Sequence, residues 1–274
     1  MKTIELSSWE EFQDELKKLQ DLLEKKRSKD GHHVSKPLFR GQSDQRWLLE
    51  STLERFGIHD FPFHNYYQAM WRSKAQIETL TGKRWAIESM SEIEQFFESH
   101  ETLMVPPYPG YDFMVYLRHH GFPSPLVDWS SSPFIASFFA FNSAKEKEEN
   151  GRVAIFAFCE FFGSGKFGMR GSPEIQSLGP FVTSHPRHFR QQSAYTLCIA
   201  KSKEWHYTSH ESAFMRNDLD QDLLWKFTIP TSERRKALEY LDLHNLNAYS
   251  LFDSEESLMS TMAIRELYLH LPSA

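Results

Sequence analysis

An apolar run that directly follows a polar, proline-containing segment constrains the fold of this chain more than any other feature. Residues 118–133 read RHHGFPSPLVDWSSSP, and the apolar run FIASFFAF occupies 134–141. Serine is favoured at a helix N-cap and proline at the first helical position, so Ser132 and Pro133 predict the start of a buried helix. Asp128 then lies near a helix N-terminus, where anions are favoured. This segment either holds a ligand or only caps and braces the helix.

The chain has the size and composition of a folded protein with a substantial core. It has 274 residues, of which 40% are hydrophobic and 23 are phenylalanine. These values exclude a disordered chain. The net charge of −6 provides no basic excess that would recruit nucleic acid over the whole surface, although it is compatible with a local basic groove. No repeat or linker divides the sequence, so we expect one domain over 1–274.

The cysteines and the apolar segments bear on the cellular compartment. Cys159 and Cys198 each lie inside an apolar run, which predicts buried free thiols rather than a disulfide or a thiolate metal site. They would be neighbours if the strands that carry them pair. The start of the sequence lacks a signal-peptide core, and the longest apolar run is too short to span a bilayer. We therefore expect a cytoplasmic protein without membrane contact.

Periodic patterns predict a mixture of helices and strands. Apolar residues at steps of three and four predict helices over 9–26, 64–80, 111–117 and 232–243, with others that start at Ser91 and at Asp253 or Ser254. Runs rich in β-branched and aromatic residues predict strands at 37–41, 152–162, 194–200 and 223–229. A long glycine-containing loop is expected at 163–180. The fold class predicted is α+β, with one central mixed or antiparallel sheet surrounded by helices.

Several blocks of the sequence resemble the FRG domain family, which is named after a Phe-Arg-Gly motif. The blocks are LFRGQS at 38–43, HHGFPSPLVDWSSSP at 119–133 and PRHFRQQSAY at 186–195. They stand in the family's order, and the resemblance covers roughly 36–270, behind an N-terminal amphipathic helix within 1–30. The resemblance implies a fold neighbourhood more than a reaction.

Two positions depart from the family pattern. Pro125 stands where the family has an arginine, and Ser193 stands where it has a glycine. If the family's arginine grips the substrate, the resemblance implies that another cation replaces it here. The candidates are Arg118, Arg187 and Arg190.

A second, weaker resemblance points to a reaction. The Arg-Gly pair after the first strand and the serine-rich segment ahead of the apolar helix are similar to the first two motifs of arginine-type ADP-ribosyltransferases. The place that matches their third motif, a glutamate, falls here at Gln191 and Gln192. The resemblance implies an ADP-ribosyltransferase-like fold and an enzyme that uses NAD. It would be the toxin of a toxin–antitoxin or phage-defence system, with an antitoxin or regulator as partner and protein or nucleic acid as acceptor.

The two resemblances together imply roles for specific residues. The expected catalytic residues are Arg40, His119, Asp128 and Gln191, and the expected NAD-binding residues are Arg40, Gly41, Gln42, Ser130 and Arg187. Cleavage of the nicotinamide bond develops positive charge on the ribose, which Asp128 would stabilise while His119 orients the substrate or moves a proton. We expect the four catalytic candidates to converge on one cleft that contains no metal.

Other interpretations of the same residues stay open at this point. Arg40 and Asp128 could form a buried ion pair that holds the first strand to the central segment, and Trp129 could simply belong to the core. A non-catalytic module that binds a nucleotide or nucleic acid is the alternative function. A metal-dependent nuclease is not supported, because the sequence has no carboxylate pair or metal-ligand spacing.

Overall fold

A mixed β-sheet organises the protein in the computed structural model, which describes residues 1–99, 108–144, 150–166, 171–179, 182–183 and 186–270. The strands are β1 (Lys2–Glu5), β2 (His33–Val34), β3 (Leu38–Gln42), β4 (Phe61–Pro62), β5 (Val127–Ser130), β6 (Arg152–Gly163), β7 (Glu174–Ser177), β8 (Ser193–Lys201), β9 (Trp205–Tyr207) and β10 (Gln221–Pro230). Their main order is β1-β10-β6-β3-β5-β8-β9-β4, with β2 beside β6 and β7 beside β8. The β1–β10 pair is parallel, and the other strand pairs in the described residues are antiparallel.

Helices surround this sheet. They are α1 (Trp9–Arg27), α2 (Thr52–Arg55), α3 (Phe63–Thr81), α4 (Met90–Glu98), α5 (Tyr111–His119), α6 (Pro133–Asn142), α7 (Pro186–Arg190), α8 (His210–Phe214), α9 (Arg234–Leu243), α10 (Ala248–Phe252) and α11 (Glu255–Ile264). A 3₁₀ turn at Thr231–Glu233 precedes α9, and a π-helical turn at Arg265–Leu269 follows α11. The α+β class is confirmed, and all four predicted strands belong to the one sheet.

Strand β6 shows how the core divides between the two faces of the sheet. Successive side chains of a strand point to opposite faces. Val153 and Ile155 pack into a cluster with residues of α1 and α6, whereas Ala154 and Phe156 pack into a cluster with residues of α8. Both faces of β6 are therefore buried, which explains its nearly continuous apolar sequence.

The central apolar helix, α6, begins as the sequence predicts. Ser132 is the N-cap, its hydroxyl accepts a hydrogen bond from the Ile135 amide at 3.3 Å, and Pro133 is the first helical residue. The helix packs on β3 at Gly41, where an added Cβ would lie 1.8 Å from the Ala136 carbonyl oxygen. A glycine is thus required at this position because the strand and the helix backbone are in direct contact.

Several details of the predicted secondary structure were wrong. The segment before Pro133 contains strand β5, the glycine-containing loop contains β7 in its described part, and β3 (Leu38–Gln42) begins and ends one residue later than the predicted strand at 37–41. Ser89 rather than Ser91 caps α4. The last long helix is capped by Ser254, since Asp253 adopts a left-handed conformation that ends α10.

The two cysteines are buried and free, as predicted. Cys159 lies on β6 and Cys198 on β8, and these strands do not pair because β3 and β5 lie between them, so the two cysteines are not neighbours across a strand pair. Within the described residues, no helix combines the length and the apolar character needed to cross a bilayer.

Candidate functional site

A cavity of about 490 Å³ opens beside β3 and β5, and every predicted site residue lines it. These residues are Arg40, Gly41, Gln42, His119, Asp128, Ser130, Arg187 and Gln191. They come from four elements and from the turn between α7 and β8, and the sheet order explains why they meet. Strand β3 lies next to β5, β5 lies next to β8, and helix α7 leads directly into β8.

A charged cluster at the inner end of the cavity joins β3, β5 and α5. Arg40 Nη1 donates a hydrogen bond to the Asp128 backbone oxygen at 2.6 Å and lies 3.9 Å from the carboxylate Oδ2. Arg118 Nη2 donates to the same Oδ2. Both arginine side chains are 14% exposed, and that of Asp128 is 36% exposed. Arg40 therefore ties two strands together and also presents a guanidinium to the cavity.

The environment of Arg40 is strongly perturbed. Burial lowers the pKa of its guanidinium to about 10; the Asp128 carboxylate opposes this shift, whereas Arg118 and Arg55 add to it. The group still carries its charge at neutral pH. Arg187 also lines the cavity, and its guanidinium stacks on Phe252 at 5.4 Å from the ring centroid. Four arginines and one carboxylate thus line the described part of the cavity.

His119 belongs to a hydrogen-bonded chain that extends away from the cavity. As the last residue of α5, it places its Nε2 2.7 Å from the Tyr195 hydroxyl. The same hydroxyl lies 3.4 Å from Nδ1 of the buried His188 on α7. Burial raises the pKa of Tyr195, so the phenol stays protonated. Tyr195 can therefore hold the His119 ring in one orientation, and the two histidines share a proton-carrying group.

Three of the predicted site residues, two of them predicted to bind NAD and one to be catalytic, use their side chains for hydrogen bonds within the protein. The Ser130 hydroxyl donates to the Gln191 backbone oxygen at 2.8 Å and accepts from the Ser132 amide at 3.1 Å. The Gln191 side chain donates to the Leu251 carbonyl at 3.2 Å. Gln42 Nε2 donates to the Leu48 carbonyl at 3.1 Å. These bonds hold the cavity wall in place. Gly41 allows the close contact of β3 with α6.

Among the candidates for a replacement cation, Arg118 and Arg187 line the cavity. Arg190 instead pairs with Asp253 at 2.7 Å on the surface and does not line it. The sequence interpretation missed Arg55, which follows a capping box on α2, and Trp47, which lies at the cavity rim with 54% of its surface exposed. Trp47 opens a Trp-Leu-Leu segment a few residues behind the Phe-Arg-Gly motif, and this proximity was the available signal for it.

Trp129 belongs to the core, as the structural interpretation proposed. It is 3% exposed, and its indole nitrogen donates to the Thr196 hydroxyl at 2.8 Å. In the part of the chain that the structure describes, no group of three or more histidine, cysteine or acidic side chains could hold a metal ion.

Comparison with known proteins finds a match to a family model in part of the chain. Residues 35–149 match the model of the FRG domain. This segment contains Arg40, Arg118 and Asp128, whereas Arg187 and Gln191 lie beyond it. No curated protein and no solved structure matches the chain.

Proposed function

We propose, for this chain whose residues 35–149 match the model of the FRG domain, that the arginine-lined cavity binds NAD and that the protein transfers or hydrolyses the ADP-ribose group. One observation carries the proposal: Arg40 and Arg118 flank Asp128 inside a cavity of about 490 Å³. Small-molecule sites typically measure about 300–1,000 Å³.

The cationic groups suit a diphosphate. Guanidinium groups bind phosphate oxygens through paired hydrogen bonds, which gives both affinity and orientation. Among the described residues, the buried Nε atoms of Arg40 and Arg118 and Oδ1 of Asp128 have no protein hydrogen-bond partner. Buried polar atoms are nearly always hydrogen-bonded. The hydrogen bonds of the cluster are therefore incomplete, which favours a ligand whose anionic oxygens and ribose hydroxyls bind its guanidinium and carboxylate groups.

The reaction that fits these groups is cleavage of the nicotinamide–ribose bond. The bonding electron pair leaves with nicotinamide, and Asp128 stabilises the positive charge that develops on the ribose. Water, or a nucleophilic group of an acceptor, attacks the ribose carbon and loses a proton, which His119 accepts while the Tyr195 hydroxyl holds its ring. In this proposal Asp128 takes the place of the glutamate of arginine-type ADP-ribosyltransferases.

One observation favours the alternative function, a module that binds a nucleotide without turnover. Oδ2 of Asp128 is already engaged by Arg118, and Arg40 lies nearby, so two cations partly compensate its charge. A compensated carboxylate stabilises a ribosyl cation less well than a free one. Binding and turnover must therefore be measured separately.

The test is a pair of assays on the whole protein, with calorimetry for NAD binding and nicotinamide release for turnover. We expect Arg40→Ala to abolish both binding and turnover. Asp128→Ala and the isosteric Asp128→Asn should lower turnover at least about a hundredfold, which corresponds to roughly 2.7 kcal/mol of transition-state stabilisation. Melting temperatures check that the variants fold. Arg190→Ala is the matched control, since Arg190 lies outside the cavity, and should behave like wild type.

The outcomes separate the two functions. NAD binding without nicotinamide release, with protein, RNA and DNA offered as acceptors, would support the binding module. Absence of both binding and release would refute the proposal. A low melting temperature with undiminished turnover per folded molecule in Asp128→Asn would assign a purely structural role to the carboxylate.

A further inference from the structure

Trp47 is exposed at the rim of the cavity although large aromatic side chains are usually buried. It lines the cavity with 54% of its surface exposed and is the most exposed of the seven tryptophans. Trp129, which also lines the cavity, is 3% exposed. Trp129 therefore belongs to the cavity wall, whereas Trp47 presents its indole to a ligand that enters the cavity.

The segment that carries Trp47 is anchored on both sides. Before it, the Gln45 amide donates to the Arg152 carbonyl at 2.9 Å, and Lys226 Nζ donates to the Gln45 carbonyl at 2.6 Å. After it, the Leu49 amide donates to Glu211 Oε1 at 3.0 Å, and the Leu49 side chain is fully buried. An exposed indole on an anchored segment can bind a flat ring with little loss of conformational entropy.

The cavity thus has two chemically different ends. Arg40 and Arg118, each with a 14% exposed side chain, form the inner, cationic end. Trp47 is the most exposed of the aromatic side chains that line the cavity, and we place the outer, aromatic end there. A ligand that fits both ends carries phosphate groups and a flat ring separated by a flexible sugar. Nucleotides have this combination, and stacking of a base on an aromatic side chain contributes substantially to nucleotide binding.

We propose that Trp47 is the base-stacking residue of a nucleotide subsite at the mouth of the cavity. The inference rests on the proposed function, because the reacting ribose must lie beside Asp128 at the inner end. The diphosphate then contacts the arginines, and the adenine end of the ligand is left at the rim. Any base can stack on an indole. A purine should bind better than a pyrimidine because its ring system is larger.

Truncated ligands test this orientation. Calorimetry would compare ADP-ribose, ADP, CDP and inorganic pyrophosphate on wild type, Trp47→Ala and Trp47→Phe. We expect Trp47→Ala to weaken ADP-ribose and ADP about tenfold or more and to leave pyrophosphate unchanged, whereas Trp47→Phe retains most of the affinity. With NAD as substrate, Trp47→Ala should raise KM and leave kcat unchanged. The control is Trp71→Ala on α3, which is partly exposed and does not line the cavity.

Each remaining outcome overturns the inference in a distinguishable way. Equal affinities of wild type and Trp47→Ala for ADP would refute the stacking role and leave the proposed function standing. Equal weakening of pyrophosphate and ADP would indicate a general disturbance of the cavity instead. If a single-stranded oligonucleotide binds more tightly than ADP, and this binding is lost in Trp47→Ala, the ligand of the subsite is a nucleic acid rather than a free nucleotide. Failure of wild type to bind pyrophosphate and ADP-ribose would refute both proposals.

Discussion

Replacement of Gly41 by alanine tests whether the glycine of the Phe-Arg-Gly motif serves packing or ligand approach. An added Cβ would lie 1.8 Å from the Ala136 carbonyl oxygen and 2.7 Å from the Ala140 amide nitrogen. Both atoms belong to the backbone of α6, so they cannot rotate away as a flexible side chain would. Ordinary van der Waals contact begins near 3.4 Å. The strand and the helix must therefore separate by more than an ångström.

The expected cost follows from this displacement. An extra methylene in a well-packed core usually costs about 1–3 kcal/mol, and contact with rigid backbone places this case at the upper end, about 3 kcal/mol. For a protein of this size, 1 kcal/mol lowers the melting temperature by about 2–4 °C, so Gly41→Ala should lower it by about 6–12 °C.

Differential scanning fluorimetry or calorimetry measures the shift directly, with ligand binding per folded molecule measured in parallel. Gly165→Ala is the control, because an added Cβ there meets no atom within 4 Å and should shift the melting temperature by no more than about 2 °C. The packing argument is wrong if Gly41→Ala melts like wild type. If that variant also loses NAD binding, the glycine is needed for close approach of the ligand.

Two further predictions concern buried titratable groups. Burial lowers the pKa of His210 to about 3, below its ordinary value, so the folded state binds fewer protons and stability falls as pH drops from about 6.5 toward 3. At pH 5 this effect should lower the free energy of unfolding by about 2 kcal/mol. Denaturant titrations at several pH values should show the loss in wild type and not in His210→Gln. The same dependence of the unfolding free energy on pH in both proteins would contradict the prediction. Burial raises the pKa of the Cys159 and Cys198 thiols, so a thiol reagent at pH 8 should label neither cysteine until the protein unfolds, and rapid labelling of the native protein would be inconsistent with their burial.

The long elements could be predicted from the sequence because their signals are local. Helix α6 has its cap, its proline and its apolar run in one segment, and β6 and β10 are long apolar runs. Strands β5 and β7 have four residues each and both pair with β8, and β5 also pairs with β3, so they depend on partners that their own short sequences do not indicate. For α4, the sequence offers two possible caps, because Ser89 and Ser91 are each followed by a glutamate three residues later. In the structure Ser89 is the cap, and Ile93 and Phe97 of the helix are buried in the hydrophobic core.

The site was predictable only where a motif pointed to it. Arg40, His119 and Asp128 stand in blocks that the family resemblance marks, and the structure brings them to one cavity. Arg55 has no motif of its own. It reaches the cavity because α2 lies beside the polar segment at 118–133, where the Leu53 amide donates to the Ser124 carbonyl. Contacts of this kind depend on the strand order, which no local pattern contains.

The position of β3 between β5 and β6 has a consequence for the order of events during folding. Leu38 pairs with Phe158, and Phe39 pairs with Ser130. Both edges of β3 therefore stay unpaired until strands that are synthesised much later are available. Closing such long loops is slow because chain entropy is lost before the contacts form. Phe252 also lines the cavity. The complete cavity wall therefore cannot form in a nascent chain before residue 252 has been synthesised, which delays any activity that needs the whole cavity until the fold is nearly complete.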